Sequence, residues 1–311
     1  MQQQKFHTTT LGLARSLLAL CMLLTLLCNS IYDLFPGYHF ADNQRLAHGI
    51  ERINLFYLFS YKHILIPYLF SIAVLVAVIS GYFPRITALL HAWVAYSIYY
   101  SLLIIEGGDQ ITAILTLLLL PACLTDNRRN HWQRRNQHII SNDVLRFFVR
   151  TSLIFLRAQM ALLYLDAGVE KLKVNEWADG TAVYYWFNHN IFGAPGWMRW
   201  LLGGAFSNPY FVTAVTLGVI VLEISLFTGL FVRQRQRYLL FAFAFPFHFL
   251  IFLTHGLATF WMGMTGGLIL YLWRMDRDAG VNLKSLSGLF AVKNISHAWY
   301  KFAFYRKDKA F

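Results

Sequence analysis

YLDAGVEKLKVNEWADG, residues 164–180, is the stretch from which the rest of the chain can be read. It closes a long apolar segment and then crowds Asp166, Glu170, Lys171, Lys173, Asn175, Glu176, Trp177 and Asp179 together. Beside a bilayer such side chains are costly to desolvate, so they face a partner, an aqueous cavity or the membrane boundary. Asp166 and Glu170 stand four apart and share a face of a continuing helix, while Lys171 lies about 100° round from Glu170. A lysine partly out of water near carboxylates is either a fixed cation or, if desolvation wins, a neutral amine able to take a proton. The stretch therefore reads as an interfacial anchor for a helix end or as a reactive site.

The surroundings are those of a membrane protein. Of 311 residues, 57% are hydrophobic, 17% aromatic and only 14% charged, far from the soluble average of about 25% charged. The apolar residues fall in blocks of about 18–25, each able to cross about 30 Å of hydrocarbon as helix. The expected fold is an all-α bundle with spans near 11–32, 62–82, 87–105, 109–125, 146–168, 209–231, 238–255 and 257–274. A weak positive start (Lys5, Arg15) and the apolar run Leu11–Tyr32 resemble a signal peptide, but the run is long and no convincing cleavage site follows, so it reads as a retained span. The three cysteines lie inside apolar blocks at no metal spacing, which predicts buried structural thiols.

The net charge of +12 is spread in short runs between the blocks, which points to the membrane surface and not to nucleic acid. Arg85, then Arg128, Arg129, Arg134 and Arg135, then Arg233, Arg235 and Arg237, then Arg274 and Arg277 all fall on the N-terminal side, which predicts both termini in the cytoplasm. Residues 1–275 read as one transmembrane domain and 276–311 as a basic-aromatic cytoplasmic tail on the lipid surface. The other face receives residues 33–62, Glu106-Gly107-Gly108-Asp109, residues 170–208 and Thr254-His255-Gly256. There, Arg45–Phe59 reads as an amphipathic interfacial helix, and Thr181–Leu202 as an aromatic segment broken at Gly193-Ala194-Pro195-Gly196.

Ionisable groups inside spans mark function more often than surface ones. His91, Arg157 with Gln159, Glu223 and His248 are such groups, and Arg157 and Glu223, of opposite charge and similar depth, are expected to pair. His248 follows Pro246, so it either satisfies a freed backbone carbonyl or lines a pocket, and no second ligand points to a metal. No P-loop, dinucleotide-binding glycine motif, HExxH or GxSxG occurs.

EGGDQITAILTLLLLP (106–121), DNRRNHW (126–132), YLDAGVEKLKVNEWADGTAVYYWF (164–187) and FGAPG (192–196) follow one another in an order that resembles the sporulation-delaying protein B family. The resemblance covers nearly the whole chain. It implies a multi-pass protein that, with a partner maturation protein of the same system, turns a secreted precursor into a mature toxic peptide. A more distant resemblance, to the membrane domain shared with vitamin K-dependent γ-carboxylase, rests on Arg157-Ala158-Gln159, Tyr164, Ala167-Gly168-Val169, Lys171-Leu172, Trp177, Gly180, Glu223 and Phe247-His248. It implies Lys171 as a base acting on a quinone, although the neighbouring lysine of that motif is here Glu170, which works against a base.

Two functions follow. A maturation factor would dock a peptide on its outer segments, with Glu106, Asp109, Asp166 and Asp179 favouring a cationic one. An enzyme would use Lys171, Glu170 and His248 in catalysis, with Arg157, Gln159, Tyr164, Trp177 and Glu223 around a lipid-soluble cofactor. An immunity protein or transporter shares this topology, but no broken-helix repeat supports that reading.

Overall fold

The computed structural model of the chain describes residues 6–134, 140–276 and 278. The expected tail lies outside them except for Asp276 and Asp278. Among the described residues no strand forms. The helices are α1 Thr9–Cys28, α2 Ile31–Leu34, α3 Gly37–Leu46, α4 Leu65–Ser80, α5 Pro84–Ser101, α6 Gly107–Leu124, α7 Asp143–Leu172, α8 Asn175–Ala178, α9 Ala182–Phe187, α10 Gly196–Phe206, α11 Pro209–Phe227, α12 Gln234–His255 and α13 Ala258–Leu272. Each of the eight expected spans holds a helix. Five of these, α1, α6, α7, α11 and α12, are long and apolar enough to cross a membrane. α4 and α13 are apolar but shorter, and α5 carries His91 and three tyrosines.

Local chemistry sets the ends. The side chains of Thr8, Asn142 and Asn208 accept the first free backbone N–H groups of α1, α7 and α11. Pro84 and Pro209 open α5 and α11, where a missing N–H costs nothing. Gly81 and Gly256 close α4 and α12 with φ of 85° and 77°, the left-handed conformation that suits glycine.

The centre of the bundle is α13, ten of whose fifteen residues are buried. It packs between α1, α6, α7 and α12. Small residues let the backbones meet. A Cβ on Gly108 of α6 would lie 2.9 Å from both Phe260 Cα and Thr259 O, and one on Gly266 would lie 3.1 Å from Ala14 O. In lipid the apolar effect supplies little drive between helices, so this close fit holds the bundle. α12 lies at the other extreme: 11% of its apolar window is buried against 67% for α1, as befits a helix whose outer face meets acyl chains.

Hydrogen bonds bring the basic connections to one end. Thr8 Oγ1 donates to Met275 O at 2.8 Å, Phe83 N to Arg129 O at 2.8 Å and Gln234 Nε2 to Leu272 O at 2.8 Å. At the opposite end Thr25 Oγ1 donates to Asp109 Oδ1 at 2.9 Å and Tyr68 OH to Leu26 O at 2.6 Å.

The segment expected as an interfacial helix over Arg45–Phe59 is different. α3 stops at Leu46, and three 3-10 turns follow, Gly49–Ile53, Phe56–Leu58 and Tyr61–His63. Asn54 is fully buried and donates to Ser97 O at 3.2 Å, while Trp93 Nε1 donates to Ile53 O at 2.7 Å and Tyr96 OH to Ile50 O at 3.1 Å. Polar groups of α5 thus take up the backbone that a helix would have satisfied internally. The break at 193–196 falls between α9 and α10 as expected.

Gly108→Ala should destabilise the protein by about 1–3 kcal/mol through overpacking, read as a lower melting temperature in detergent, whereas Gly218→Ala should not. A Cβ at Gly218 meets nothing within 4 Å. Equal melting of the two variants would contradict the close α6–α13 approach.

Candidate functional site

α7 and α11 touch most closely at Gly168, where an added Cβ would lie 2.9 Å from Ile224 Cγ1 and 3.5 Å from Glu223 Cβ. One turn on, Lys171 Nζ reaches Glu223, 2.8 Å from Oε1 and 2.8 Å from Oε2. It also donates to Ala167 O at 3.3 Å and stands 5.3 Å from the centre of the Trp177 ring, within cation–π range. The carboxylate side chain is 7% exposed and the lysine 23%. Glu223 lies about 21 Å along α11 from Pro209 and about 6 Å from the other end of that helix at Phe227, at 1.5 Å per residue. The last turn of α7 stays open on its outer side, with Glu170, Leu172 and Lys173 exposed.

The chain that follows returns beside the first half of α11. Gly180, with φ of 84°, packs on Thr213, where a Cβ would meet Cγ2 at 2.7 Å. Val183 N donates to Thr216 Oγ1 at 3.3 Å, Phe187 stacks on Phe206 at 3.9 Å, and His255 Nδ1 donates to Phe192 O at 2.5 Å. α8, α9 and α10 therefore pack along the first half of α11, with Trp177 of α8 reaching Lys171.

Above the pair sits Tyr164, 1% exposed, whose hydroxyl has no hydrogen-bond partner. Its ring lies 6.0 Å from His248 and 6.5 Å from Tyr271. His248 Nδ1 is 2.7 Å from Ala244 O, so that nitrogen carries the proton and Nε2 is the acceptor. The histidine thus satisfies a carbonyl, one of its two expected roles. Phe247 and Phe260 enclose it at 4.9 and 5.7 Å. An ion pair, an unanswered phenol and a neutral imidazole, all set among aromatic rings, make a small polar site in an apolar bundle. Such a site can hold the polar end of an apolar ligand or orient a peptide group.

Several expected members lie elsewhere. Arg157 does not pair with Glu223. It stands about 21 Å back along α7 from Lys171 and lines a different cavity with Arg150, Arg237, Arg274 and Asp276. The antiparallel contact at Gly168 sets a register that gives Glu223 to Lys171 instead. Gln159 is half-buried between the two places. Glu170 is bound to Lys173 at 2.5 Å in an exposed pair, so the carboxylate holding Lys171 is Glu223 and not its chain neighbour.

Of the acidic docking residues, Asp166 and Asp179 are exposed, and Asp179 Oδ1 accepts from Thr181 N at 3.0 Å and Oγ1 at 2.6 Å. Asp109 is 1% exposed beneath Thr25, which removes it from any docking surface. Glu106 accepts from Thr259 Oγ1 against the start of α13. Burial, with Asp109 as the second cause, pushes its carboxyl up to about 7, so it is a weak attractor for cations near neutral pH.

A second polar cluster escaped the sequence reading. Arg128, expected as membrane-surface charge, and Arg15, read as part of a positive start to the first span, are 3% and 2% exposed. Arg15 donates to Thr87 Oγ1 at 2.8 Å. Arg128 grips Asp126 at 2.7–3.1 Å, and also the carbonyls of His131 and Gln133 at 2.9 and 3.0 Å. Burial would raise the Asp126 carboxyl, yet bonds from Arg128 hold it below its ordinary range. Burial, then Arg15 and Arg128, bring His131 down to about 3, so it is neutral where it packs on Gly12. The 126–132 motif is thus a plug that locks the connection after α6 to α1 and α4. Its signal was the density of polar residues between two apolar blocks.

Comparison with known proteins gives two relatives of nearly full length, both from Bacillus subtilis (strain 168). The chain is 36% identical over 280 residues to the uncharacterized protein YitO, covering 86% of each chain. It is 32% identical over 278 residues to the sporulation-delaying protein SdpB, covering 88% of this chain and 84% of that one. No protein-family model and no solved structure matches.

Glu223→Ala should destabilise the protein by on the order of 3–5 kcal/mol, because Lys171 keeps its charge inside the bundle without a partner. Lys171→Met combined with Glu223→Leu should recover most of the melting temperature; equal loss in single and double variants would show that the pair does not compensate. For Glu106, the folded chain keeps a proton between its ordinary 4.5 and about 7 that the unfolded chain has released. Its contribution is complete below about 4.5 and lost as pH rises through about 7. The melting temperature should therefore fall between about pH 5 and about pH 8, and Glu106→Gln should flatten that slope.

Proposed function

The chain belongs to the sporulation-delaying protein B family, and from that membership we propose that it acts in a sporulation-delaying system as a membrane factor that matures a secreted antimicrobial peptide. The observation that carries this is the 32% identity to SdpB over 88% of the chain. The arginine-rich connections gathered at one end support placing that end in the cytoplasm by the positive-inside rule, with eight crossings and both termini inside. The helices α8 to α10 then face the exported peptide. Asp166, Glu176 and Asp179 with the exposed rings of Tyr184, Tyr185, Trp197 and Trp200 form its docking surface, and a partner maturation protein joins it there.

A second reading is favoured by Trp177 beneath Lys171 and by the unanswered Tyr164 hydroxyl: an enzyme whose Lys171, as base, takes a proton from a hydroxyl of the reduced, quinol form of a lipid-soluble quinone. It requires Lys171 to give up its ion pair and hydrogen bond with Glu223, and that works against it.

Mass spectrometry of the peptide secreted with and without this protein tests both. The maturation reading expects loss of the mature, active peptide when the protein is absent; an unchanged yield of active peptide would end it. Lys171→Arg, which keeps the ion pair, should process normally while Lys171→Ala fails. Failure of both, with a mass change that only the natural protein produces, would favour the base reading instead. In a background freed of Cys21, Cys28 and Cys123, a cysteine at the exposed Asn175 should react with an impermeant thiol reagent from outside the cell. Labelling from the cytosol alone would sink the proposed topology.

A further inference from the structure

The cavity at the Arg150 end of α7 is built unlike the rest of the bundle. It has a volume of about 640 Å³ and draws arginines from three elements: Arg150 and Arg157 of α7, Arg237 in the first turn of α12, and Arg274 just after α13. Arg150 and Arg157 stand about two turns apart on one face of their helix. Among the described residues the one carboxylate lining the cavity is Asp276, and Arg274 holds it through contacts of 3.0 and 2.6 Å. Arg237 gives one nitrogen to Leu230 O at 3.1 Å, and its Nε is buried without a hydrogen-bond partner. Three further guanidiniums thus share a space whose single carboxylate is already engaged.

Like charges drawn together in a low-dielectric wall repel one another and create a strong positive potential. The other wall is apolar, formed by Phe6, Leu153, Ile154, Leu270 and Met275. It runs outward along α7, where the apolar side chains of Ile154 and Phe155 are 63% and 60% exposed. Guanidinium forks match the several oxygens of a phosphate, and an apolar wall beside them suits an acyl chain.

We propose that this cavity binds a phosphate-bearing anion, and that the apolar wall favours the headgroup of an anionic phospholipid as its source. The site lies about 21 Å from Lys171 along α7, so it stands whether or not the maturation reading does. Its end of the bundle is where the basic connections gather, and basic pockets between helices on that side suit anionic headgroups.

The full-length protein, purified in non-ionic detergent, is given dioleoylphosphatidylglycerol, dioleoylphosphatidylcholine or inorganic phosphate, and followed by native mass spectrometry and thermal melting. Phosphatidylglycerol should remain bound and raise the melting temperature, and phosphatidylcholine should not. Arg157→Gln combined with Arg237→Gln should weaken retention by about tenfold or more, as loss of two charge-assisted contacts implies. Inorganic phosphate that stabilises as strongly, and fails in the same variant, supports the site and assigns it to a free anion. Should the double variant not fold, Arg150→Gln, at an exposed position on α7, must still weaken retention several-fold. Equal binding of the two lipids, binding that these substitutions leave unchanged, or no binding of lipid or phosphate overturns the proposal.

Discussion

The close approach of α13 to its neighbours is the constraint from which the other features follow. Gly263, Gly266 and Gly267 bring it against Gly108 of α6, Ala14 of α1 and Met160 of α7, with built Cβ contacts of 3.0, 3.1 and 2.8 Å. Helices in lipid gain little by hiding apolar surface from a solvent that is itself apolar, so van der Waals fit at small residues has to hold them. That fit fixes where α13 presents its larger side chains. Tyr271 is set 6.5 Å from Tyr164, its hydroxyl donating to Leu226 O at 2.7 Å, which ties the core to the end of α11 that carries Glu223. Leu270, Arg274 and Met275 go to the arginine cavity.

α7 joins the two polar places. At about 45 Å its 30 residues exceed the hydrocarbon thickness, and its last turns pack against the end of α11 that carries Glu223. A lysine half-buried there has to be neutralised, and Glu223 does so, accepting its hydrogen bond at 2.8 Å. At the opposite end, Arg150 and Arg157 join Arg237 of α12 and Arg274, just after α13, around a cavity with one carboxylate among the described residues. The two sites differ in kind: one is internally balanced and can orient a ligand without changing its own charge, while the other carries an excess of positive charge that an anion would relieve.

Much of this was legible in the residues. The apolar blocks mark the helices, since a 3.6-residue repeat is not needed where lipid covers one face and protein the other. The Gly193–Gly196 turn and the importance of the 164–180 stretch were also visible, and the ordered motifs pointed to the family that the match to SdpB establishes. The pairing of charges was not. Arg157 and Glu223 are complementary and similar in depth by counting, but counting assumes that neighbouring helices start level, and α7 and α11 do not. Arg128 looks like surface charge in a linear reading, and Arg15 like the positive start of a span, because nothing in the order of residues shows that Asp126, Thr87 and the carbonyls of His131 and Gln133 converge on them. Arg45–Phe59 has the composition of an interfacial helix, but the hydrogen-bonding groups of α5 hold it in 3-10 turns.

The sequence by itself determined that this is a helical membrane protein, where its long helices lie and which family it belongs to, because hydropathy over a span and the order of motifs are properties of the chain. Only the tertiary structure decided which charge faces which, because an ion pair depends on the register between helices. That register is set by where Gly168 meets Ile224 and where Gly266 meets Ala14, which are contacts between residues far apart in the chain.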